Sequence, residues 1–235
     1  LNAGSLWGRP FYILREAWNI LNAIAEGKIE SGDEKKLNAL KGETMAVIAL
    51  CQFDLTRCFG YPYTKDNGAS LGAPLIDHLV GTYENPSRST VAQAYDFIIE
   101  TLEEAVTLMS EEKNNGRMNK YAARALLARV YLYHNDNRKA FDMAEQLIKD
   151  VDASGSYALY PHEKYVAAWS VETKFGSESF FEIANSVDDT PGRDSWGYLL
   201  NWYGYQKGFV TQKYAEQMLA DPGDVRGQLL EENKY

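Results

Sequence analysis

Apolar side chains recur along the first 150 residues at steps of three and four, the period of a helix with one buried face. Residues 9–26 carry Ile13, Ala17, Ile20, Leu21 and Ile24 as a stripe, with Pro10 suited to a first turn and Gly27 to a stop. Residues 28–42 are polar and read as a connection, partly helical, broken at Ser31-Gly32-Asp33. A second helix is expected over 43–59 from Val47, Leu50, Cys51, Phe53 and Leu55, ended by Gly60. Gly and Pro then crowd residues 60–88, and a loop of that length inside a domain is functional or mobile. Ser89 or Thr90 caps a third helix, whose Val91, Tyr95, Ile98, Leu102, Ala105 and Met109 alternate steps of four and three.

Residues 116–150 write two short helices around the turn His134-Asn135-Asp136-Asn137. Asn119 suits the N-cap of the first. Ala122, Ala125, Leu126, Ala128, Arg129, Val130 and Leu132 leave it little polar face, so it is expected to be buried on most sides. Ala140, Ala144, Leu147 and Val151 form the stripe of the second. Leu127, Ala128, Tyr131 and Ala140 sit at tetratricopeptide-type spacings. Beyond Asp150 the helical period fades and Gly, Ser, Tyr and Trp rise. Ser179–Ala184 reads as a short strand, 185–208 as loop, and 211–220 as a helix capped by Thr211 and stopped by Pro222-Gly223. The fold class is therefore mostly α: a tetratricopeptide-like helical repeat scaffold with long loops and little β. One domain is expected, with the scaffold over 1–152 and an aromatic, loop-rich ligand-binding portion over 153–235.

Net charge is −9, which disfavours a nucleic-acid partner. Aromatics make up 13% of the chain, including 16 Tyr and 5 Trp, residues whose apolar faces and polar tips suit half-wet recognition surfaces. Cys51 and Cys58 lie about 10 Å apart along a helix at about 1.5 Å per residue, too far for a disulfide, and are expected to be small buried hydrophobes. No apolar run approaches the roughly 18 residues of a membrane-spanning helix. The chain opens at Leu1-Asn2-Ala3-Gly4 without an initiator Met, and a fragment or processed form is expected.

Several stretches, taken in order, resemble one family. Tyr12, Ile13 and Asn19 fit its first helix. Gly42, Glu43, Ala49, Phe53, Asp54, Leu55, Arg57, Phe59 and Gly60 fit its long second helix and the Phe-Gly turn behind it. Arg88, Thr90, Val91, Tyr95, Ile98, Ile99, Leu102 and Ala105 fit the next helix. Gly116, Arg117, Ala122, Ala123 and Leu126 through Tyr131 fit its hairpin. Tyr157 and Leu159, then Glu178, Phe180, Phe181, Glu182 and Ile183, and finally Asp224-Val225-Arg226 fit later segments. The chain thus resembles the SusD/RagB family of surface nutrient-binding lipoproteins of Bacteroidetes. It departs at Ile48, where the family has Arg, and at Val225, where it has Pro. The family's lipid-bearing Cys is absent.

The resemblance implies a non-catalytic protein that captures oligosaccharides or other nutrients at the cell surface. It implies delivery to a SusC-like TonB-dependent outer-membrane transporter, with membrane attachment only through a lipid anchor. No cofactor is expected.

The candidate site read from the residues themselves is 193–205, where Trp196, Tyr198, Trp202, Tyr203 and Tyr205 crowd beside glycines and polar groups. Exposed rings stack on the flat C–H faces of sugars, while Arg193, Asp194 and Asn201 reach the hydroxyl rim. A second candidate is Tyr61, Tyr63, Asp66 and Asn67, with Lys65, in the loop after Phe59-Gly60.

Two other readings compete: a tetratricopeptide adaptor gripping a peptide, and a glycoside hydrolase using Glu182, Asp188 or Asp189. Asp150-x-Asp152-x-Ser154-Gly155 starts like a calcium loop, but Pro161 stands where the bidentate Glu belongs. His78, His134 and His162 lack metal-ligand spacing. Arg57, Arg124 and Arg129 are expected to pair with carboxylates or to snorkel.

Overall fold

The computed structural model describes residues 3–29, 31–169, 174–186, 188–190, 192–200, 203–206 and 208–230. They divide into two compact units, Leu1–Ser156 and Tyr157–Tyr235.

The first unit holds helices α1 (Ala3–Ala25), α2 (Glu34–Phe59), α3 (Val91–Leu108), α4 (Lys120–Tyr133) and α5 (Asn137–Ser154). Each packs on the helix before it in the chain, which is the stacking of a helical repeat. The mostly α, tetratricopeptide-like reading therefore holds.

Helix α1 begins earlier than its pattern indicates and carries Pro10 inside it rather than in a first turn. Its buried side is also one position off. Leu14 and Ala17 are sealed, with Phe11, Trp18 and Leu21 packed on them, while Ile13 and Ile20 face solvent. Two apolar stripes lie side by side on α1, and periodicity alone does not say which one α2 covers. The stop at Gly27 is as expected. Its φ of 67° lets the Gly27 and Lys28 amides bond Ile24 and Ala23 oxygens at 3.1 and 2.9 Å.

The polar connection breaks at 31–33 as expected, and its remainder, 34–42, is the first part of α2. Asp33 caps it by accepting from the Lys35 and Lys36 amides, and strong helix formers follow. Gly42 sits where α2 meets α3. A Cβ there would lie 2.6 Å from Met109 Cγ and 2.9 Å from the Ala105 carbonyl oxygen. Ile48, the departure from the family's Arg, is sealed with Leu14, Cys51, Leu55, Ala73 and Ile76, so that position is apolar core. Cys51 is buried and burial pushes its thiol up to about 11, whereas Cys58 is exposed, contrary to expectation; both are free. Residue 58 lies in the last turn of α2, next to the exposed Arg57.

The long 60–88 loop is ordered by β structure that its sequence hides. Strand β1 (Leu71–Pro74) pairs antiparallel with β2 (Arg88–Thr90). The fully buried Gln52 of α2 donates through Nε2 to the Pro74 oxygen at 3.1 Å and accepts from the Ile76 amide at 3.3 Å. Trp18 Nε1 donates to the Ile76 oxygen at 3.2 Å. Thr90 then caps α3 in a capping box with Gln93. The expected core face of α3 is buried, Val91 through Met109.

Asn119 caps α4 as expected. Half of its residues are buried, between Tyr121 and Tyr131, and only Arg129, Leu132 and Tyr133 are exposed, on one side, so α4 is covered on most sides as expected. The turn into α5 uses Asn135 at φ 71°, and Asp136 caps α5 through the Lys139 amide. The calcium-like stretch lies largely on α5, where Asp150 pairs with Arg124 at 2.7 Å. Arg57 pairs with Asp54.

The second unit contains short helices α6 (Tyr165–Ala168), α7 (Trp196–Leu200) and α8 (Gln212–Leu219). The stretch Ser179–Ala184 is not a strand. Its neighbourhood is held instead by single bonds, such as Phe175 N–H to Glu182 Oε2 at 3.0 Å and Ala158 N–H to the Ser177 oxygen at 3.1 Å. An alternating pattern needs a partner strand, and none pairs with it among the described residues. Helix α8 forms with Thr211 as its cap.

Two outcomes test this packing. Gly42→Ala should lower the melting temperature, since overpacking a tight contact costs about 1–3 kcal/mol. Gly8→Ala, with open space around its Cβ, should not. Gln52→Leu should destabilise by about 1–3 kcal/mol in denaturant melts, because it orphans a buried carbonyl and an amide. A wild-type curve for Gln52→Leu would show that the loop is held by something else.

Candidate functional site

The aromatic segment of the second unit is partly helical rather than all loop. A 3-10 turn at Gly192–Asp194 leads into α7, and the Ser195 hydroxyl accepts from the Tyr198 amide at 3.0 Å. The chain then folds back so that Tyr205 N–H donates to the Tyr198 oxygen at 2.9 Å. This brings the two rings edge to face at 5.1 Å. Tyr205 is 46% exposed and Tyr203 89% exposed. Arg193 and Asp194 face solvent on the preceding turn. Trp196 is described only by its place at the start of α7; Asn201 and Trp202 lie outside the described residues.

The second segment sits in the first unit. Tyr61 is 57% exposed, with the Lys65 ammonium 3.0 Å above its ring. Tyr63 is half-buried and packs on His134 at 4.2 Å and on Tyr95 at 5.7 Å. Asp66 accepts from the Ser70 hydroxyl, which holds its carboxyl below the usual range. Asn67 adopts φ 54° and Gly68 φ 75°, and the Gly68 oxygen accepts from the Ala92 amide at 2.9 Å. A Cβ on Gly68 would strike the Tyr63 ring and that amide, at 2.8 and 2.7 Å. Thus Tyr61 points outward, while Tyr63, Asp66 and Asn67 fasten the turn that presents it.

Sequence reasoning missed the surface around this turn. Arg57 lies 4.9 Å from the Phe53 ring and 5.3 Å from the Tyr133 ring, and Tyr133 is itself half-exposed. These residues come from α2 and α4, so no local spacing joins them. Among the described residues no group of His, Cys, Asp and Glu could hold a metal ion.

A family model described as starch-binding and associating with the outer membrane matches residues 2–132, more than half of the chain. The chain belongs to the SusD-like family. It is similar to a SusD superfamily protein from Bacteroides vulgatus, with 96% identity, a TM-score of 0.93, and coverage of 100% of this chain and 53% of that one. Another Bacteroides vulgatus structure is 38% identical with a TM-score of 0.88, covering 98% and 52%. A laminarin-binding SusD-like protein, 24% identical with a TM-score of 0.60 over 83% and 40%, shares the fold. The chain spans about half the length of the relatives it matches. No curated protein matches it.

In this SusD-like chain the loop between β1 and β2 closes on itself through one imidazole. His78 Nδ1 faces Asp77 Oδ1 at 2.6 Å and Nε2 faces Glu84 Oε1 at 2.7 Å. Glu84 Oε2 also accepts from the Gly81 amide at 3.1 Å. A carboxylate on each ring nitrogen favours the imidazolium, so Asp77 first and Glu84 second raise the His78 pKa above its ordinary value. The Gly81 amide, then His78, holds Glu84 below the usual carboxylate range. A raised His contributes fully below its unfolded pKa and is lost as pH rises through the folded one. A lowered Glu contributes above its unfolded pKa and is lost as pH falls through the folded one. The clasp is therefore tightest between the two. An NMR titration should place the His78 midpoint above about 6.5, with Gly81 amide protection falling on either side of the window. A midpoint at or below that value would contradict the clasp.

Proposed function

We propose that the protein is a non-catalytic glycan-binding lipoprotein of the outer membrane. It captures oligosaccharides at the cell surface and delivers them to a SusC-like TonB-dependent transporter, with a lipid anchor as its membrane attachment. The observation that carries the reading is the pair Tyr203 and Tyr205, rings open to water beside a turn bearing Arg193 and Asp194. Tyr198 braces Tyr205 from the side, so the platform is pre-formed rather than assembled on binding. Sugar C–H faces stack on such rings, and charged or amide groups take the hydroxyls. Trp196, Trp202 and Asn201 complete the platform in this reading, and Tyr61, on the turn built by Tyr63, Asp66 and Asn67, is a second contact. The family's description as starch-binding and outer-membrane-associating supports it, as does a laminarin-binding protein of the same fold.

Calorimetry against malto-, laminari- and xylogluco-oligosaccharides tests the platform. Tyr203→Ala and Tyr205→Ala should each weaken binding roughly threefold to tenfold, from a stacking contribution of about 0.5–1.5 kcal/mol. Their melting curves should match wild type. Unchanged affinity in both variants, with wild type binding well, would remove these rings from the site.

A further inference from the structure

A cleft of about 670 Å³ lies between the 75–89 loop and the outer face of α3. The helix offers it Gln93, Asp96, Phe97 and Glu100, spaced three, four and seven, so these four share one face. Phe97 is half-buried and gives the cleft an apolar floor. Asp96 and Glu100 are exposed, one turn apart on the same face, and line the cleft with that ring. From the loop come Asp77 and Glu84, held by the His78 clasp. The opposing cation is Arg88, two of whose nitrogens are committed to the Gly72 and Leu71 oxygens at 2.7 and 2.8 Å. Four carboxylates thus face Arg88 and His78, and the field in the cleft is negative even with the imidazole charged.

An apolar ring lined with four carboxylates against two cations, one of them already bonded to two backbone oxygens, fits a particular chemistry. Hydroxyl or ammonium hydrogens can donate to Asp96 and Glu100 while a C–H face rests on Phe97. A uronate or sulfate ester would bring a fifth negative charge among four. Repulsion of that kind acts within about 10 Å at 0.1 M salt. We propose that this cleft is a glycan subsite selecting uncharged or amine-bearing sugars and rejecting acidic ones, a specificity element that rests on the glycan-binding reading above.

The test compares maltotriose and laminaritriose, a glucosamine trimer and trigalacturonate by calorimetry at low salt. Wild type should bind the neutral or amine-bearing trimers at least tenfold more tightly than trigalacturonate, with the gap narrowing as salt rises. Asp96→Asn combined with Glu100→Gln, both on exposed positions, should cut that preference at least fivefold without changing the melting temperature. Trigalacturonate bound within twofold of the neutral trimers by wild type, or an unaltered preference in the double variant, overturns the proposal. If Tyr203→Ala weakens binding while the double variant keeps wild-type preference, the aromatic platform stands and this subsite falls. If wild type binds no glycan at all, both readings fall.

Discussion

The buried amide of Gln52 is the constraint on which the first unit depends. A side chain wholly removed from water must have both ends of its amide satisfied, or folding loses about 1–3 kcal/mol for each orphaned group. Gln52 meets this requirement by bonding Pro74 and Ile76 on the connecting loop rather than its own helix. The loop is thereby fixed against α2, and β1 is placed where β2 can pair with it. Since β2 runs directly into the Thr90 cap, the same contact helps set where α3 begins. The Val91 and Ala92 amides, which α3 cannot use internally, donate to the Ser70 and Gly68 oxygens at 2.9 Å each.

That economy makes the first unit a rigid carrier. The elements proposed for recognition there, the Tyr61 turn and the cleft beside the His78 clasp, sit on a loop fixed by Gln52 and by the β1–β2 pairing. The second unit is built differently. Among its described residues Tyr157 alone is buried, so local bonds and caps hold it more than an apolar core does. Asp224 caps the turn at Val225–Leu229 and also grips Arg226, which pulls its carboxyl down to about 2. His162 Nε2 lies 2.8 Å from the Gly223 oxygen. A surface held this way leaves rings such as Tyr203 facing water, the condition for stacking a ligand.

The three proposed recognition features share one chemistry. Tyrosine faces supply apolar area at little entropic cost, and carboxylates supply hydroxyl acceptors. The net charge of −9 is then more than a solubility property, because part of it lines the Phe97 cleft, where a ligand's own charge would be felt.

The sequence determined most of the helices, several of their caps and the family. Thr90, Asn119 and Thr211 act as read because a cap is a local bond between a side chain and an amide two or three residues on. The crowding of aromatics at 193–205 was equally plain, since composition is local too. Only the tertiary structure decided which of two adjacent stripes on α1 is buried, because Leu14 and Ile13 differ by the face that α2 covers and not by their character. It alone turned 71–74 and 88–90 into a strand pair and left 179–184 without one, since a strand exists only through its partner. It alone joined Arg57 of α2 to Tyr133 of α4, a meeting fixed by helix packing, and set Asp96 and Glu84 in one cleft.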